Sequence, residues 1–274
     1  MKPLIGITIG DINGIGPEVA LKAATLPSVR ALCSPVLIGP MSVFEGTAKH
    51  LKLRVKFEKA NLVHLSKTAV AVVDVGDALW ANVAWGSSTI TSGKNAGVAI
   101  ERAVQLCLEK KLSAFVTAPA SKAALSLAGY GFPGQTEMIA LLSGTRQVAM
   151  MLIAKDFRVG LVTAHTPVRE IVQNITSEKI IEKVTIIRHA LVRDFAVKNP
   201  RLAVLGLNPH AGENGLLGEE EQKFIVPALT TLREQSIEVS GPFPADGFFG
   251  NGQHKKYDAV VRSEERRVGK ECRL

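Results

Sequence analysis

Two histidines stand one step past apolar runs, and their type and placement make them the first candidates for chemistry. His165 closes Val159-Gly-Leu-Val-Thr-Ala-His165, and His210 closes Val204-Leu-Gly-Leu-Asn-Pro-His210. Buried parallel strands read as continuous hydrophobic runs, and in open α/β sheets ligands gather beyond the carboxyl ends of the strands. Imidazole is the commonest side-chain metal ligand, so two rings at matching places on two strands suggest one shared cation. The plainer alternative is that each ring sits half-buried on a hydrogen bond. Turn chemistry places both on tight loops: His210 lies within Asn208-Pro-His-Ala-Gly-Glu-Asn-Gly215, and Pro167 restricts Thr166 to extended backbone.

Two further segments invite attention. Gly10-Asp-Ile-Asn-Gly-Ile-Gly-Pro-Glu18 follows the first apolar run and opens a helix, with Pro17 suited to a first helical position. It matches neither the dinucleotide G-x-G-x-x-G nor the G-x-x-x-x-G-K-[ST] phosphate loop, so it reads as a tight turn with Asp11 an unspecific candidate. Gly134-Gln135-Thr136-Glu137 reads as a glycine-led helix start, where free amide hydrogens can hold an anion.

Positioning such groups requires strands alternating with helices, the pattern of parallel β-α-β units. Strands are expected over 4–10, 35–39, 70–75, 114–117, 148–154, 158–163, 202–207 and 257–261. A helix over about 177–195 presents Ile180, Val184, Ile187 and Leu191 as one apolar stripe, with Ser177 as its N-cap. Another over about 94–111 ends in lysines that suit the negative end of its dipole. A lobe boundary is expected between about 120 and 150.

The 274 residues are 46% hydrophobic, enough for one large α/β unit or two lobes. No apolar stretch reaches the ~18–20 residues of a membrane span, and the amino terminus shows no signal-peptide pattern. Cys33, Cys107 and Cys272 share no C-x-x-C spacing, which argues against a disulfide framework or zinc knuckle and fits a reduced, cytoplasmic setting. The net charge of +8 is scattered along helices without interleaved aromatics. That argues against nucleic acid and suits a small phosphorylated or carboxylated substrate.

Six blocks in order carry a resemblance to one family. They are Gly10–Glu18, Thr117-Ala-Pro-Ala-Ser-Lys122, Ala128–Glu137, Leu161–Glu170, Asn208–Gly218 and Gly241-Pro-Phe-Pro-Ala-Asp246. Over residues 1–261 the chain resembles the PdxA family of 4-hydroxythreonine-4-phosphate dehydrogenases. The resemblance implies an α/β fold of two interleaved lobes, like isocitrate and isopropylmalate dehydrogenases, with mostly parallel sheets flanked by helices. Residues 1–261 would form one catalytic unit acting as a homodimer.

The implied activity is NAD- or NADP-dependent oxidation and decarboxylation of 4-phosphooxy-L-threonine to 3-amino-2-oxopropyl phosphate, in pyridoxal phosphate synthesis. A divalent metal (Zn, Co, Mg, Ni or Fe) assists. Carried over by position, His165 and His210 are two of the family's three metal histidines. Gln135 and Thr136 stand where the family has a His-Thr pair on the substrate. Asp246 falls near the metal and the reacting hydroxyl, or else serves as a turn-capping carboxylate before Gly247. Gln135 departs from the family pattern: an amide hydrogen-bonds an anion but cannot be protonated. Two alternatives follow, a paralogue oxidising phospho-threonate or phospho-erythronate, and a catalytically dead binding remnant.

Past Val261 the family continues with a His-Asp-Gln-Gly segment holding the third metal histidine, then with groups that hold the substrate phosphate. Residues 262–274 instead contain five Arg/Lys and three Glu. This reads as a non-family tail, disordered or artefactual, with His254 and Glu265 the only nearby substitutes for the histidine. The expectation is an exposed sheet edge, poor solubility and little turnover.

Overall fold

The computed structural model describes residues 2–63, 65–66, 68–145 and 147–264. They form two units, divided between residues 145 and 146. In the first unit β1 (Leu4–Thr8) leads into α1 (Gly16–Thr25), α2 (Pro27–Leu32), β2 (Ser34–Gly39) and α3 (Met41–His50). There follow β3 (Phe57–Lys59), β4 (Val70–Asp74), α4 (Ile90–Leu108), β5 (Ala114–Val116), α5 (Lys122–Leu127) and α6 (Gln135–Leu142). The sheet order is β3-β4-β2-β1-β5, every pair parallel. Its inner strands β1, β2 and β4 are largely buried on both faces, which is why they read as unbroken apolar runs: Val36, Leu37, Ile38 and Val72 pack with Leu21 and Phe44.

Helix α4 begins earlier than its apolar pattern suggests. Thr89 and Ser92 cap it reciprocally, Thr89 Oγ1 accepting from Ser92 N at 3.1 Å and Ser92 Oγ from Thr89 N at 3.2 Å. Two glycines let neighbours lie against it: a methyl at Gly93 would strike the Ala124 carbonyl, and one at Gly97 the Tyr130 ring. Burial against this helix, with Glu101 beside it, pushes the Tyr130 phenol up to about 12.

The second unit runs β6 (Met151–Ala154), β7 (Phe157–Leu161), α7 (Ser177–Arg193), β8 (Leu202–Leu205), α8 (Val226–Glu234), β9 (Val239–Phe243), α9 (Ala245–Gly250) and β10 (Ala259–Arg262). The order is β6-β7-β10-β8-β9, parallel except for the β6–β7 hairpin. Helix α7 lays Ile180, Val184, Ile187 and Leu191 on this sheet. It comes so close that a methyl at Gly160 of β7 would collide with Ile187 Cδ1.

Several expectations shift. The N-cap of α7 is Thr176, whose hydroxyl accepts from Lys179 N at 3.3 Å, while Ser177 Oγ donates to the Phe224 carbonyl at 2.8 Å. The last strand begins at Ala259, because Tyr257 turns aside to pack on Phe243 and Phe248. Order also extends past Val261: Arg262 pairs with Leu161 in β10, and Arg262 and Glu264 are buried. Glu265 and the rest of the expected tail lie outside the described residues.

Candidate functional site

His165 follows β7 by four residues and His210 follows β8 by five. Strand β10 lies between β7 and β8, with Leu161 opposite Arg262 and Val204 opposite Val261, so Leu161 and Leu205 end at one level. Both histidines therefore leave the same carboxyl edge from strands two places apart, about 10 Å at the sheet. Both are exposed, and both have left-handed backbone, φ 56° at His165 and 51° at His210. Few L-residues adopt this conformation, and it concentrates at functional sites.

At His210 it is one step of a longer run. His210, Ala211, Gly212, Glu213 and Asn214 all have positive φ, a full turn of the opposite hand. Ala211 N donates to the Asn208 carbonyl at 3.1 Å and Leu217 N to the Gly212 carbonyl at 3.0 Å. Asp246, in the first turn of α9, brings Oδ2 to 3.6 Å from His210 Nδ1. Pro244, not Asp246, precedes that helix, so the carboxylate faces the imidazole instead of capping a turn. Beside them an open cleft of 590 Å³ is lined in part by His210, Glu213, Gln222 and Pro244.

Sequence reasoning missed the support beneath this turn. Asn208 donates its backbone N–H to Glu221 Oε1 at 2.7 Å and Nδ2 to Glu221 Oε2 at 2.9 Å. The same Nδ2 reaches Glu220 Oε2 at 2.7 Å, and that bond holds the Glu220 carboxyl below its ordinary range. The only hint in the sequence is an asparagine at a strand end followed by a cluster of glutamates.

Other elements carry the remaining candidates. Gln135 and Thr136 are the first two residues of α6 in the first unit, half-buried behind Gly134. Asp11 closes its own turn, Oδ1 accepting from Asn13 N at 3.0 Å. Asn13 is buried and ties that turn to the chain before α4, accepting from Ala84 N and donating to Ser87 O. His254 is no substitute ligand: it precedes the amino end of β10 and packs between the Phe157 and Phe249 rings.

The donor types beyond β7 and β8, imidazole with a carboxylate nearby, suit a divalent transition metal. Among the described residues no three His, Cys, Asp or Glu side chains form a cluster able to hold one, so the donors fit in kind and make a partial set. No helix among the described residues is long and apolar enough to cross a membrane.

Comparison with known proteins adds four findings. Residues 31–263 match the family model described as pyridoxal phosphate biosynthetic protein PdxA. A 4-hydroxythreonine-4-phosphate dehydrogenase of Bacteroides thetaiotaomicron is 40% identical over 262 residues, which span 95% of this chain and 72% of that one. A D-threonate 4-phosphate dehydrogenase of Cupriavidus necator is 38% identical, over 94% of this chain and 78% of that one. The crystal structure of a 4-hydroxythreonine-4-phosphate dehydrogenase from Burkholderia phymatum superposes with a TM-score of 0.86 at 34% identity, covering 99% of this chain and 83% of that one.

Proposed function

Since the chain belongs to the PdxA family of pyridoxal phosphate biosynthetic proteins, we propose that it oxidises 4-phosphooxy-L-threonine at its secondary hydroxyl. The resulting β-keto acid loses carbon dioxide to give 3-amino-2-oxopropyl phosphate. The chain is an oxidoreductase of the dehydrogenase class, and the hydride acceptor in this reading is NAD or NADP, whose chemistry is its own while the protein supplies position and charge. The setting is the cytoplasm, and the working form a homodimer. Leu152 and Ile153, exposed on edge strand β6, offer apolar surface for that contact.

One observation carries the reading: His165 and His210 leave the same edge of the sheet from strands flanking β10, with Asp246 beside His210. In this reading the two imidazoles hold a divalent cation, of zinc, cobalt, nickel or iron type in preference to magnesium. A cation bound there supplies Lewis acidity to the hydroxyl and ketone oxygens of the substrate. Asp246 Oδ2 takes the hydroxyl proton as hydride leaves carbon. The Gln135 amide, the Thr136 hydroxyl and the free amides at the start of α6 donate hydrogen bonds to the phosphate or carboxylate.

Gln135 favours a second reading, in which the substrate is a phosphorylated four-carbon hydroxy acid without the amine, as the name of the Cupriavidus relative indicates for that protein. The deciding experiment follows NAD and NADP reduction with 4-phosphooxy-L-threonine, D-threonate 4-phosphate and D-erythronate 4-phosphate, beside His165→Ala. The expected result is slow, metal-dependent reduction with the first and its loss in the variant. A higher kcat/KM for the second or third selects the paralogous activity. Failure with all three while metal still binds leaves a binding protein and overturns the proposal.

A further inference from the structure

We infer that Glu221 is the positioning residue of His210: its buried carboxylate clamps Asn208 and fills the hollow of the left-handed turn, fixing the direction of the imidazole. The inference rests on the reading of His210 as a cation ligand.

Glu221 is only 2% exposed, and both its oxygens are engaged by Asn208, through its backbone and its side chain. Burying a carboxyl group is costly unless its oxygens are hydrogen-bonded in this way, so the arrangement is specific and not incidental packing. Two glycines close over it. A Cβ at Gly212 would lie 2.6 Å from Glu221 Oε2, and one at Gly206 would lie 3.1 Å from Oε1 and 2.8 Å from the Ala211 Cα. The turn therefore wraps the carboxylate at backbone distance.

From the clamped Asn208 to His210 there is only Pro209, whose ring locks φ. Few torsions separate the carboxylate from the imidazole. The left-handed conformations of His210 and Ala211 are unfavourable for L-residues on their own, so something outside the turn must hold them. Glu221 is placed to do so at the head of a wide π-helical segment, Glu221–Ile225, of the kind frequent at functional sites.

The test is a cobalt(II) titration of the 274-residue protein and of E221Q, N208A and H210A. It is read by the visible absorption of the bound metal, with circular dichroism to follow the fold. Glutamine keeps the size of Glu221 but sets a donor against the Asn208 donors. E221Q is expected to weaken cobalt binding about 10- to 100-fold and to shift the band of the residual complex, the usual cost of losing a group that orients a ligand. N208A, which keeps the backbone bond to Oε1, should fall between E221Q and the unaltered chain. Unchanged binding in E221Q alongside its loss in H210A overturns the positioning role and leaves the cation site standing. Unaltered binding in H210A, or none in the parent chain, overturns both. If E221Q fails to fold, N208A decides: partial loss supports the inference and full affinity overturns it.

Discussion

Asp246 Oδ2 stands 3.6 Å from His210 Nδ1, although the two are 36 positions apart in sequence. His210 arrives from the turn after β8 and Asp246 from the helix after β9, and β8 and β9 are neighbours in the sheet. The separation is too long for a hydrogen bond but leaves the carboxylate beside the group proposed to hold the cation. Asp246→Asn removes the charge and the proton acceptor while keeping the shape. In the metal-loaded enzyme kcat is expected to fall by about 10²-fold or more, with the KM for nicotinamide cofactor unchanged. Steady-state kinetics checks this, and an unchanged kcat removes Asp246 from the chemistry.

Gln135 is the lever on substrate choice. Gln135→His gives the first residue of α6 a ring that can carry positive charge. The ratio of kcat/KM for 4-phosphooxy-L-threonine over D-threonate 4-phosphate should move by about 10-fold, the scale of one polar contact. A ratio that stays put places the discrimination elsewhere.

Stability should depend on pH through His254. Burial, with Lys255 adding to it, holds this imidazolium below its ordinary value of 6.5, and neither ring nitrogen has a hydrogen-bond partner. Below pH 6.5 the unfolded chain takes up a proton that the folded chain refuses, so stability present above that pH is lost as pH falls. His254→Phe fills the same place between Phe157 and Phe249 and should flatten the loss below pH 6.5, with a gain on the order of 1 kcal/mol. Urea unfolding at several pH values reads it out, and equal acid slopes in both proteins would refute it.

The packing of α7 on β7 gives a structural prediction. Gly160→Ala drives a methyl into Ile187 and is expected to cost about 1–3 kcal/mol, whereas Leu191→Ala, which empties space at the same helix, should cost about 2–5 kcal/mol. Denaturant melts compare them.

What could be read beforehand follows from burial. Strands covered on both faces announce themselves as apolar runs, and the two histidines are conspicuous because they end such runs. Two of the edge strands do not: β3 carries Glu58 and Lys59, and β9 is interrupted by Gly241 and Pro242, so neither shows the expected pattern. Glu221 is hidden for a different reason. Within Glu219-Glu220-Glu221-Gln222-Lys223 it looks like part of a solvated charged face, and only the arrival of Asn208 and the turn after it buries it. The 3.6 Å approach of Asp246 to His210 is likewise a product of strand order, which no local pattern encodes.

The reversed twist of the segment after Pro209 carries a stereochemical consequence. At Ala211 the chain path is one that a mirror-image residue would follow without steric cost. Semisynthetic protein with the D-enantiomer of alanine at that place should fold at least as firmly as the natural polymer, by about 1 kcal/mol, a preference that ordinary helices and strands would invert.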